Sequence, residues 1–463
     1  MTQKTILKTW IIEGILENES PLVIGTGKNQ GDVDIIIIRD EDGKPFIPAT
    51  SLCGALKSYW NGHHDGWFWG ESKGEKGTQS LLIVQDAYMM NTPRIEVRDV
   101  VKINNTRGIA EAKGKYDYET LAPGAKFHFH METNLWEGEN EKKTRSVLNA
   151  ILTSLINGEI RVGAMSAKGF GQIRLNNPKG YGFDFSQPKD LIMWLEGPEK
   201  HLPNWTGFLQ TDIEPISKAC ENEMVLEAWF SLKTSMLIRQ YQETTSGENE
   251  GEPDAIHIQS NGKPILPGTS IKGALRARAE RILHTLAQEE SRADRMLHEL
   301  MGYVNEETKE KMKSRMRVEE TLITQKSILE LIHSRVKIDR FTGGTMETHL
   351  FNFRPLWPKD DEKTVQLKCS IQNPAKWEAG LLMLLLKDLW TGDLPIGGEK
   401  SIGRGVLQGI SASLNFENNR YFIQQEKDRL DIKSKNLSQP ETIEEMEGWL
   451  TCLHEEIQKK EAS

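Results

Sequence analysis

Apolar positions in this chain fall into short stretches separated by polar, glycine-containing turns, and the period of each stretch predicts its element. Residues Ile6 to Leu16 are mostly apolar and rich in β-branched side chains, which favours a strand. Residues 33–38, VDIIII, read as a second, buried extended segment. Past Glu223, the run MVLEAWFSLK has the character of the opening strand. Near the C-terminus the period changes: Ile443, Met446, Trp449, Leu450, Leu453 and Ile457 form the stripe of a helix with one packed face. The basic stretch Lys309–Arg317 reads as a solvated helix, with contact to an RNA backbone as the alternative.

The same sequence of signals occurs twice. Residues 43–57, GKPFIPATSLCGALK, align without a gap on 262–276, GKPILPGTSIKGALR, at an offset of 219. Each begins as a turn, passes through a short apolar strand to Pro, and offers Thr-Ser before a helix-like stretch, so Ser51 and Ser270 are predicted as N-caps. VVKINNTRGIA at 100–110 matches RVKIDRFTGGT at 335–345 at an offset of 235, and VGAMSAKGFG at 162–171 matches IGGEKSIGRG at 396–405 at 234. Three correspondences in one order imply two related domains. The change of offset places extra residues between the first and second motifs of the second copy. The boundaries that follow are 1–180 for the first domain, 181–222 for a packed connector, 223–422 for the second domain, and 423–463 for a tail with a helix.

Composition narrows the function classes. With 58 basic and 67 acidic residues the formal net charge is −9, which argues against a generic nucleic-acid coat but leaves room for a locally basic RNA groove. No apolar run reaches membrane-spanning length, and the N-terminus lacks a continuous signal-peptide core. The four cysteines are scattered without a CxxC pair, so neither a zinc site nor a disulfide scaffold is expected, and the cytoplasm fits best.

The paired segments carry the candidate chemistry. A helix start offers free N–H groups to phosphate, and Lys57, Lys272 and Arg276 follow it; a plain strand–turn–helix joint is the competing reading. Gly163, Gly169 and Gly171 form one glycine-rich loop and Gly397, Gly398, Gly403 and Gly405 the other, with Arg161, Lys168, Lys400 and Arg404 supplying charge. Neither loop has the spacing of a nucleotide P-loop, so no ATP or organic cofactor is expected. Asp32 and Asp34 precede the first paired motif at strand spacing, on one side of the chain, where they could share a hydrated Mg²⁺ or another divalent ion. Asp254 stands at the comparable place in the second copy, and nearby His257 is a candidate for proton transfer.

These pieces together resemble the repeat-associated mysterious protein (RAMP) superfamily, specifically Cas7-type backbone proteins of type III CRISPR systems. The resemblance rests on IPATSLCGALK and LPGTSIKGALR, VKINNTRG and VKIDRFTGG, and GAMSAKGFG and GGEKSIGRG, in order through both halves. It is closer to a fused double Cas7 protein, as in type III-D-like effectors, than to a single-domain Csm3-like subunit. The resemblance implies an α+β fold, two modified RNA-recognition (ferredoxin-like) domains with inserted thumb-like hairpins. It implies binding to CRISPR guide RNA and complementary target RNA beside other type III Cas backbone and small subunits. It further implies divalent-metal-dependent endoribonuclease activity within the complex, with Asp34 and Asp254 as the catalytic candidates and Asp32 as a further metal ligand. A non-catalytic RNA-holding subunit is the alternative, and a small-molecule metabolic enzyme a more distant one. Lys102, Arg107, Lys337 and Arg340 flank the inferred thumbs and are the chosen RNA contacts there.

Overall fold

The computed structural model describes residues 5–26, 33–60, 66–71, 77–104, 108–205, 222–241, 253–305, 308–427 and 429–459. The chain divides into two compact units. The first comprises residues 1–98, 116–166 and 170–221; the second comprises 99–115, 167–169 and 222–463.

The first unit is built on a four-stranded antiparallel sheet in the spatial order Leu82–Val84, Lys126–Trp136, Ile6–Asn18, Ile173–Asp184. In chain order this is second, third, first, fourth. The helix Ala49–Tyr59 connects the first two strands and the helix Glu141–Ile156 the last two. That is the split β-α-β arrangement of a ferredoxin-like domain. The strand KFHFHMETNLW shows why it forms: Phe127, Phe129, Met131, Thr133 and Leu135 are buried, alternating with more exposed neighbours. Each fully buried Phe contributes about 2–3 kcal/mol. The second helix starts at Asn140, whose side chain accepts the Lys143 N–H at 3.1 Å, and buries Val147, Leu148, Ile151, Leu152 and Leu155 against the sheet.

The second unit repeats this order with Met316–Val318, Val365–Gln372, Glu223–Leu232 and Leu407–Phe416, and extends the sheet with Asn419–Glu426 and Arg429–Ser434. Its helices are Gly268–Leu286 and Lys376–Trp390. The C-terminal stripe forms the helix Gln439–Gln458, whose Trp449 packs edge-on to Phe416 and Tyr421. Gly380 lets that helix approach: a Cβ there would lie 2.4 Å from the Trp449 carbonyl oxygen. The mixed α+β class and the ferredoxin-like repeats are therefore as the family resemblance implies.

Three local expectations change. The extra residues of the second copy are a first helix of 19 residues rather than 11, followed by the helix Glu290–Met301. The Lys309–Arg317 stretch is not a helix: Lys311–Met312 pairs with Tyr303–Val304, and Met316–Val318 is an edge strand of the main sheet. Its burial of Met316 and Val318 at alternate positions has period two, which the intervening basic residues obscure. Ser51 and Ser270 are not N-caps. The caps are Pro48 and Pro267, without side-chain capping bonds, and in the first helix the Ala49 N–H is taken by Asp86 Oδ1 at 2.7 Å. No helix among the described residues is long and apolar enough to cross a membrane.

Candidate nucleic-acid interface

Each copy inserts a two-stranded hairpin between its second and third sheet strands: Ile95–Asn104 with Ile109–Leu121, and His333–Ile338 with Thr345–Arg354. The aspartates meet these hairpins in matching ways. Asp34 is exposed, its Oδ2 accepts the Asp117 N–H at 3.0 Å, and the following Ile35 bridges Tyr118 in parallel. Asp254 is exposed, its Oδ2 accepts the Asn352 N–H at 2.7 Å, and the following Ala255 pairs with Phe353 in parallel. In both cases one carboxylate oxygen is fixed by the returning hairpin strand, and Oδ1 has no protein partner among the described residues. Asp32 lies outside the described residues, and these contain no group of three or more acidic, His or Cys side chains able to enclose a metal.

Of the two hairpins, the second has its whole tip among the described residues, and that tip is a short turn. There the Asp339 carboxylate accepts the N–H of Phe341 at 2.7 Å and of Thr342 at 3.3 Å, fixing a turn that leaves Phe341 fully exposed. Lys337 and Arg340 are exposed beside it. Lys102 is exposed on the first hairpin and paired across it with Glu111 at 2.9 Å; Arg107 lies outside the described residues.

The glycine-rich loops also match. Each has glycines at positive φ around a short 3-10 turn, Ser166–Lys168 or Lys400–Ile402, entered through a non-glycine residue in the left-handed region, Met165 or Glu399. At Gly171 and Gly405 a Cβ would lie 2.0 and 1.9 Å from the carbonyl oxygens of Val162 and Ile396, so only glycine fits. Several loop amides are engaged internally: Gly171 N–H donates to Pro21 O, Ala164 N–H to Val23 O, Gly398 N–H to Leu237 O and Gly405 N–H to Ser235 O. These four N–H groups are not available to a phosphate, which corrects the open cradle that the sequence suggests. The remaining loop glycines Gly163, Gly169, Gly397 and Gly403 hold the turn geometry.

The predicted cations divide into outward and inward groups. Lys57 and Lys400 are exposed. Lys272 is 8% exposed and donates to Ala167 O, Ser314 Oγ and Met316 O at 3.3, 2.6 and 2.7 Å. Burial, together with the like charges of Lys168, Arg276 and Arg317, lowers its pKa to about 7. Burial also lowers Lys168. Arg404 is 3% exposed, donating to Ser235 Oγ at 2.6 Å and ion-paired to Glu399 at 2.8 Å. Arg276 donates to Gly302 O at 2.8 Å, and Arg161 to Phe170 O at 3.3 Å. Lys272 and Arg404 thus act on the protein's own interior, contrary to the RNA contacts expected of them. His257 is corrected likewise: it is buried, its Nδ1 faces the Ile238 N–H at 3.3 Å and its Nε2 lies 2.9 Å from Ile265 O, and burial lowers its pKa to about 4.

With this geometry in view, the family comparison decides the class. The RAMP superfamily model matches residues 15–174 and again 229–408, well over half of the chain and one match per repeat. The chain belongs to the RAMP superfamily. A protein described as CRISPR system Cms endoribonuclease Csm3, from Methanocaldococcus jannaschii, is 23% identical over 210 residues, which cover 39% of this chain and 83% of that protein. The chain is a Cas7-like RAMP protein with two RAMP domains.

The two RAMP repeats differ in one ionic feature that sequence reasoning missed. In the second, Glu399 binds three guanidinium groups: Arg239 at 2.9 Å, Arg335 at 2.8 Å and Arg404 at 2.8 Å. Burial raises the Glu399 pKa, but the charges of Arg335, Arg239 and Arg404 outweigh it and hold the carboxyl below its ordinary value. Under the motif offsets, the first repeat has Met165, Val100 and Phe170 where the second has Glu399, Arg335 and Arg404. Comparing the copies residue by residue, rather than for their shared motifs, would have exposed this cluster.

Proposed function

We propose that this protein is a guide-RNA-binding backbone subunit of a type III CRISPR interference complex, in the fused double form of type III-D-like effectors. It holds the guide beside other type III Cas backbone and small subunits, and it positions and cleaves complementary target RNA at regularly spaced sites. The observation that carries this reading is the repeated aspartate, exposed in each RAMP repeat and pinned by one backbone N–H of its hairpin. The likeness to the Methanocaldococcus protein described as an endoribonuclease supports it.

The chemistry asked of the chain is modest. A hairpin inserted into the guide–target duplex opens pairing locally, and the exposed Phe341 has the apolar surface for a wedge. An unpaired nucleotide can then align its ribose 2′-oxygen with the adjacent phosphate, the geometry that intramolecular strand cleavage needs. Asp34 and Asp254 orient that backbone. Among the described residues each offers one carboxylate oxygen without a protein partner, so Mg²⁺ or a similar divalent ion would be shared with RNA there, with phosphate oxygens and water to complete the shell. Such an ion, when bound, would neutralise charge at the scissile phosphate.

Among the described residues no group of three or more acidic, His or Cys side chains gathers at either aspartate, and this favours a second reading, in which the subunit holds RNA without cutting it. Crosslink mapping on the purified complex tests the shared part of both readings. Contacts are expected from both repeats, including the Lys57 helix and the Lys337–Arg340 hairpin tip; contacts from neither repeat would reject RNA binding. Lys57→Ala should weaken attachment with little dependence on guide sequence, as befits a backbone contact.

A further inference from the structure

The sheet that carries Asp254 is tied across one face by a single carboxylate. Its four strands lie in the order Arg239–Tyr241, Ala255–His257, Thr345–Arg354, His333–Ile338. Asp254 leads into the second of these, and its Oδ2 accepts the Asn352 N–H of the third at 2.7 Å. The two inner strands meet in parallel at two register pairs, Ala255 with Phe353 and Ile256 with Arg354. Each outer strand sends an arginine to Glu399. Arg239 Nη2 lies 2.9 Å from Oε1, and Arg335 makes a two-pronged contact, 2.8 Å to each oxygen. The Phe353 ring of an inner strand has the same two guanidinium groups 5.2 and 5.6 Å from its centroid. Glu399 therefore joins one outer strand to the other over Phe353, at the short joint that places Asp254.

We propose that Glu399 is a positioning residue for the Asp254 site: by holding Arg239 and Arg335 together it keeps the inner strands in register and the Asp254 carboxylate on the Asn352 N–H. The proposal rests on the cleavage reading above and deepens it with a residue that acts through the strands rather than on the RNA. Arginine–carboxylate contacts of this kind are directional as well as strong, so they set the spacing of the strands they join. Glu399 is itself 9% exposed and bound by Arg404, which donates to Ser235 Oγ at 2.6 Å and to Nδ1 of His333, on an outer strand, at 2.7 Å. Such a buried ionic group is held together only while every partner is present. Removing the carboxylate deprives three guanidinium groups of the anion they share.

The first repeat is built otherwise. Gly25 bridges Ile37 as Arg239 pairs with His257, and Val100, Met165 and Phe170 stand in the places of Arg335, Glu399 and Arg404. Tyr118, which bridges Ile35 as Phe353 pairs with Ala255, is buried and packs edge-on to Phe170, over which the Arg98 guanidinium lies at 5.7 Å. Aromatic packing thus takes the place of the carboxylate there. The positioning role is therefore assigned to the second repeat alone.

The test is Glu399→Gln, which keeps the length of the side chain and removes its charge. In the reconstituted complex with an end-labelled complementary RNA, it should reduce the product that depends on Asp254 about tenfold or more, with target binding and the Asp34-dependent product retained. Hydrogen exchange of the full chain, resolved to single amides, should be about tenfold faster at Asn352 and unchanged at Asp117, its counterpart in the first repeat. Glu399→Asp, which restores the carboxylate, should return both readouts towards wild type. Equal loss of both products, unchanged exchange at Asn352, or no recovery in Glu399→Asp would overturn the positioning role. A wild-type complex without an Asp254-dependent product would instead overturn the cleavage reading for that repeat. Exchange at Asn352 would then decide by itself whether Glu399 holds the Asp254 carboxylate in place.

Discussion

Lys272 and Lys57 both follow a Pro-x-Thr-Ser helix start, yet they face opposite ways, and stability separates them. Lys272→Ala removes the donor that satisfies Ala167 O, Met316 O and Ser314 Oγ, and a loss of about 2–3 kcal/mol is expected from chemical denaturation. Lys57→Ala should change stability by no more than about 0.5 kcal/mol, because its side chain is exposed. His257 supplies a pH dependence of definite sign. Its pKa is about 4 when folded and near the ordinary 6.5 when unfolded, so the unfolded chain binds the extra proton between those values. Stability should hold above pH about 6.5 and fall as the pH drops towards 4, by about 3 kcal/mol in total from this group. Melting temperatures of wild type and His257→Gln across that window check it: the substitution should flatten this part of the profile. Sequence could not anticipate either inward residue, because a Lys or His looks the same in a string whether its partners are carbonyls or water.

At the scale of elements, the glycine-rich loops are defined by close backbone approach. Gly405→Ala would put a Cβ 1.9 Å from Ile396 O at a φ of +80°, and a loss of about 3 kcal/mol or more is expected, read as a lowered unfolding midpoint. The glycine spacing was legible in the sequence, but the engagement of loop amides with Pro21, Val23, Ser235 and Leu237 was not, since those partners are more than a hundred residues away. The main strands were legible where alternation is clean, as in MVLEAWFSLK. The Met316–Val318 edge strand was hidden because three residues are too few to establish a period among lysines and arginines. The hairpins were implied by the family resemblance that the VKI segments help to carry, whereas the wedge-like presentation of Phe341 depends on the Asp339 turn beneath it. Phe341→Ala should leave guide binding intact and reduce opening of the neighbouring guide–target pairs, measurable with a fluorescent base analogue at that step.

At the scale of the whole molecule, duplication is what the sequence conveyed best. Three motif pairs at offsets of 219, 235 and 234 correspond to two sheets with the same strand order and two hairpins joined to their aspartates in the same way. Divergence between the copies was harder to read, because Met165 and Glu399 hold the same loop conformation with unrelated side chains. The central claim is that each RAMP repeat supplies one aspartate-dependent cleavage site, at different steps along the target. Its most direct test is cleavage of an end-labelled complementary RNA by the reconstituted complex, resolved to single cuts, for wild type, Asp34→Ala, Asp254→Ala and the double substitution. Loss of one distinct product from each single substitution, and of both from the double, with target binding retained, is the predicted result. Unchanged products in all three variants would contradict it and leave the chain an RNA-holding subunit.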